Sequence, residues 1–76
     1  MILNWKEEAG GKIGYLDKRM VASVWPATTG KHFMFWADQN GKPPPRLFGY
    51  HILEEEAIKH AEEIITENRQ EQGETQ

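Results

Sequence analysis

The chain contains no cysteine, so neither a disulfide nor a thiolate-bound metal can hold it together. It has one serine, Ser23, with nothing around it that marks an activated nucleophile. No run of about 18 apolar residues occurs, which argues against a membrane-spanning helix. The opening residues, Met1-Ile2-Leu3-Asn4-Trp5-Lys6-Glu7-Glu8, lack the basic start and apolar stretch of a secretory signal. A reducing cytoplasm is the location these absences suit. Gly10-Gly11-Lys12 is too short for a phosphate loop and is followed by no serine or threonine at the required place. His32, His51 and His60 do not fall at zinc-ligand spacing. The expectation is a protein without enzymatic activity, cofactor or metal.

What is present divides the 76 residues into two unlike parts. Residues 1–52 carry seven basic and four acidic side chains, a net of +3. From residue 53 onward eight glutamates face Lys59 and Arg69, a net of −6. A chain of this length forms one domain and buries only about 60% of its unfolded surface, so its core is thin.

The first part reads as short strands. Ile2–Lys6 is the first, and Glu8-Ala9-Gly10-Gly11-Lys12 turns the chain, with the paired glycines supplying positive φ. Ile13–Leu16 and Met20–Trp25 follow, joined by a tight turn at Asp17-Lys18 or by a bend within one longer strand. Pro26 ends the third strand because it donates no ladder hydrogen bond. His32–Ala37 is the fourth, and Asn40-Gly41 after it is the strongest hairpin signal. Pro43-Pro44-Pro45 imposes an extended polyproline segment, so the last strand, Leu47–Ile52, starts late and lies at an edge.

Residues 53–69 read as a helix. Leu53, Ala57, Ile58, Ala61, Ile64 and Ile65 share one arc of the helical wheel, with charged residues opposite. Glu54, Glu55 and Glu56 suit the positive end of the helix dipole. Residues 70–76 are polar, contain Gly73 and have no apolar anchor, so they read as a disordered tail after a single domain at 1–69. The fold expected is α+β: an antiparallel sheet of four or five strands with one C-terminal helix packed on one face. Phe33, Phe35, Val24, Leu53, Ala57, Ala61 and Ile64 are the expected core.

The fourth strand carries the sharpest functional clue. Side chains alternate faces along a strand, so Phe33, Phe35 and Ala37 take one face while Met34 and Trp36 take the other. The fifth strand repeats this, with Phe48, Tyr50 and Ile52 opposite Leu47. One helix covers one face. The second face is either closed over by loops and the proline segment or is an interface with a protein partner or a second copy, anchored by Trp25, Met34, Trp36 and Tyr50. The alternative is nucleic-acid binding, with bases stacked on the aromatics and Lys12, Lys18, Arg19, Lys31 and Arg46 on phosphates. No Lys/Arg-Gly-Phe/Tyr signature of an RNA-recognition sheet accompanies it.

Trp5, Gly14-Tyr15, Val24-Trp25-Pro26, Gly30 with Phe33 and Phe35, and Leu53-Glu54-Glu55-Glu56-Ala57 with Ala61-Glu62 form an ordered series. Over about residues 5–65 it resembles small bacteriophage and prophage proteins built from an antiparallel sheet and one C-terminal helix. That resemblance implies a mobile-element accessory protein that binds and blocks a host protein, as anti-CRISPR and anti-restriction proteins do. It does not identify the partner.

Overall fold

A computed structural model describes residues 3–39 and 41–74, the stretch 68–74 as backbone. Five strands are followed by one helix: β1 (Asn4–Glu8), β2 (Gly11–Leu16), β3 (Arg19–Pro26), β4 (Phe33–Asp38), β5 (Arg46–His51) and α1 (Glu54–Glu74). The strands form one antiparallel meander in the order β1-β2-β3-β4-β5, so every pairing is between chain neighbours. The helix packs on β3, β4 and β5. The protein is an α+β sheet-and-helix domain, as its sequence pattern indicates.

The first turn is made by Ala9 and Gly10, with φ of 52° and 81°, and Gly11 already belongs to β2. The glycine pair therefore sits one residue later than the left-handed positions require. Such paired positive-φ residues match the twist of a hairpin, but an alanine there costs about 1 kcal/mol. Ala9→Asn should consequently raise stability by about 1 kcal/mol, read as a melting temperature about 4–8 °C higher. The β2–β3 connection is the two-residue alternative, with Asp17 at φ 60°. The bond between Pro43 and Pro44 is cis, so the proline run is not a continuous trans polyproline helix. Ile2 and Asn40, which mark the expected start of the first strand and the fourth-to-fifth turn, lie outside the described residues, as do residues 75 and 76.

The core comprises Leu3, Val21, Ala22, Val24, Phe35, Ala37, Ala57, Ala61, Ile64 and Ile65. Phe33 packs at its margin, half-buried. Val21 and Ala22 are neighbours in one strand yet both are buried. A register shift between Gly14 and Tyr15 explains this: Gly14 pairs with Ala22 while Tyr15 pairs with Met20, which leaves Val21 as the extra residue of a bulge. Strict alternation fails there.

Leu53 is a correction. It is 49% exposed and outside the core, because it precedes the helix rather than occupying its first turn. Its carbonyl accepts from the Glu56 and Ala57 amides, each at 3.2 Å. Its side chain is thereby off the buried arc. At the other end the backbone stays helical to Glu74, past the expected boundary at residue 69. Of the added residues Gln70, Glu71, Gln72 and Glu74 are good helix formers, Gly73 is a poor one, and there is no proline among them.

Candidate binding face

The ladder registers assign each strand residue to a face. Trp5, Gly14, Ala22, Ala37 and Leu47 are one cross-strand row, and Glu7, Lys12, Val24, Phe35 and Gly49 the next. Three contacts show that this face, which also carries the Phe33–His51 pair, meets the helix. Trp5 Nε1 donates to Glu62 at 3.0 Å, Lys12 Nζ donates to Glu54 at 2.8 Å, and His51 Nε2 lies 2.9 Å from His60 Nδ1. His51 and His60 both pack against the Phe35 ring, with centroids 5.8 and 4.9 Å away. One imidazole donates and the other accepts, so the pair ties β5 to the helix over Phe35.

The opposite rows carry the aromatics that sequence singled out. Trp25, Met34 and Tyr50 are direct cross-strand neighbours. Lys6, Ile13, Ser23, Trp36 and Phe48 form the adjacent row. All four expected anchors, Trp25, Met34, Trp36 and Tyr50, therefore lie on one continuous face, away from α1. Among the described residues no second element covers it. Trp25, Met34 and Trp36 are half-buried by their neighbours. Phe48 and Tyr50 remain 61% and 63% exposed. His32 meets the Tyr50 ring edge-on at 5.0 Å, extending the patch into the β3–β4 loop. Sequence pattern overlooked Phe48 as an anchor, although it has the same parity as Tyr50 and stands opposite Trp36.

The cations of the alternative reading are dispersed. Lys12 is on the helix side, bound to Glu54. Lys18 is in the β2–β3 turn and Lys31 in the β3–β4 loop. Arg19 reaches Asp38 at 4.0 Å. Arg46 alone of the five lies over the aromatic face, its guanidinium 4.3 Å from the centre of the Trp36 ring. The guanidinium covers part of one face of the indole. Lys6 adds a second cation on this face, 5.4 Å from the Tyr15 ring. Tyr15 in turn donates to Glu8 at 2.8 Å.

A separate groove of about 610 Å³ opens on the helix side, between β1–β2 and α1. Trp5 and Ile58 form its apolar floor, and Lys12, Lys59, Glu55 and Glu62 its rim. It exists because α1 packs on β3–β5 and meets the first two strands through long side chains, Trp5 to Glu62 and Lys12 to Glu54. Among the described residues no group of three or more His, Cys, Asp or Glu is arranged to hold a metal. No described helix is long and apolar enough to cross a membrane.

Lys12 and Tyr15 are both shifted upward. The hydrogen bond to Glu54 holds the Lys12 ammonium above its ordinary value of 10.5, against a smaller opposing effect of burial. The hydrogen bond to Glu8 raises the Tyr15 phenol above 10.0, with burial adding to it. Both groups keep their protons more tightly when folded. Their stabilisation is complete below the unfolded values and is lost as pH rises through the folded ones. Chemical denaturation at increasing pH should show this loss only beyond about pH 10. Lys12→Met should remove the lysine's share of that alkaline dependence.

No family model matches the chain, and no curated protein or solved structure matches it.

Proposed function

We propose that the protein is a non-enzymatic binder that acts through protein–protein contacts made by the open aromatic face. The observation that carries this reading is the row Trp25-Met34-Tyr50 beside Trp36-Phe48, on a face that no further strand or helix among the described residues covers. Trp, Tyr, Phe and Met are the residue types enriched at the buried centres of protein interfaces. The resemblance to phage accessory proteins makes a host protein, specifically a defence protein to be inhibited, the proposed partner. The reaction chemistry of an enzyme has no part in this reading.

The dispersed lysines count against nucleic acid as the ligand. A phosphate-tracking surface needs several cations along one groove, and here Lys12 is engaged by Glu54 on the far side. Fluorescence titration with single-stranded DNA and RNA at low and moderate salt separates the two ligands. Protein-directed binding predicts at most weak association that vanishes with salt. Micromolar or tighter binding with quenching of the tryptophans would move nucleic acid to first place.

A further inference from the structure

Among the described residues, the large apolar side chains most exposed to solvent are Phe48, Tyr50, Ile52 and Leu53, each between 49% and 65% accessible. Phe48 and Tyr50 occupy alternate positions of β5, and Ile52 and Leu53 follow it. This strand is also an edge: β4 pairs with one side of it, and among the described residues no strand pairs with the other. An edge presents a row of ladder groups ready to accept another strand. The other edge, β1, is guarded differently, by Lys6, Glu7 and Glu8, all exposed. Charged side chains of this kind discourage strand addition. β5 carries one charge, Arg46, at its beginning.

We infer that β5 pairs antiparallel with β5 of a second copy, across a two-fold axis, to make a continuous ten-stranded sheet. This goes beyond the proposed function, since it concerns the strand's edge and a second copy rather than the face and another protein. Charge favours this occupant and this direction. One end of β5 bears Arg46, and the other leads directly into Glu54, Glu55 and Glu56 at the helix start. Glu54 is bound to Lys12, while Glu55 and Glu56 are exposed. Antiparallel pairing sets the Arg46 end of each strand beside the end of the other that leads into the acidic helix start, twice, with Arg46 on the aromatic face and α1 on the opposite one. Parallel pairing would align like with like. Parity adds a second condition. A continuous sheet with both helices on one face must set even-numbered residues opposite even-numbered ones. Phe48 and Tyr50 then meet their own kind or Ile52 across the new ladder, and such aromatic cross-strand pairs are favourable.

A strand pair of this length covers less than the ~1,200 Å² of a standard stable interface, so the dimer is expected to form with micromolar affinity. Sedimentation equilibrium of the full chain between about 5 and 500 μM is the test. The expected result is a mass rising from 8.8 kDa toward twice that value. Phe48→Lys should raise the dissociation constant at least tenfold with an unchanged circular dichroism spectrum. Glu55→Arg should weaken the dimer, and Met34→Gln, on the sheet face but away from the edge, should leave it intact. Backbone amide exchange should slow along β5 at dimer concentrations. A monomer at every concentration overturns the inference. So does a dimer that Met34→Gln dissolves and Phe48→Lys spares, which would be packed face to face.

Discussion

Replacing Phe35 by alanine should remove a large fraction of the domain's stability. The ring is fully buried at the middle of the sheet, 1% exposed. It fills the space between Val24 on one neighbouring strand and Gly49 on the other, under His51 and His60. Removing such a ring costs about 3–5 kcal/mol, counting both the lost burial and the cavity left behind. A domain of this size has a total stability of about 4–11 kcal/mol, so the loss is a large fraction of the whole. Gly49 tests the same contact from the other side. A β-carbon there would lie 2.7 and 2.9 Å from Phe35 ring carbons. Both strands' backbones would have to shift, and Gly49→Ala should cost about 1–3 kcal/mol. Urea denaturation of both variants checks the pair. Wild-type midpoints would contradict the packing described.

Trp36→Ala should leave the fold standing and remove the partner. Its ring is half-buried on the open face, beside Ser23 and Phe48 and under Arg46. The intramolecular loss is two cross-strand contacts and one cation–π contact, together about 1–2 kcal/mol. At a protein interface a central tryptophan contributes 2 kcal/mol or more, so affinity should fall about 30-fold or further. The contrast with Phe35 is the informative part: two aromatics at alternate parity in one strand, one sustaining the fold and one free to bind. Calorimetric titration against the partner and a thermal melt of the same sample separate these effects. A Trp36→Ala chain that unfolds would assign the indole to the core.

The fold class was legible because its signals are local. Every strand pairs with its chain neighbour, so turn residues between alternating segments specify the whole topology. The opposite-face placement of Met34 and Trp36 relative to Phe35 followed from strand alternation alone. Three features were not legible, each for a physical reason. The bulge at Val21 depends on how β2 and β3 align, which no single segment encodes. The exposure of Leu53 depends on where the helix begins, and no Ser, Thr, Asp or Asn cap marks that position. The His51–His60 contact joins a strand end to a helix face nine residues away and leaves no spacing signature. The four anchors were chosen as large side chains for the sheet face left without a helix, and their assembly into two adjacent rows required the registers.

Paired affinity capture from bacterial lysate, after nuclease treatment, tests the central claim most directly. Tagged wild-type chain is compared with Trp36→Ala and Trp25→Ala variants shown to melt cooperatively. The account predicts a stoichiometric host protein retained by the wild type through nuclease and lost from both variants. A partner retained equally by all three chains, or one released by nuclease alone, would contradict binding through the aromatic face.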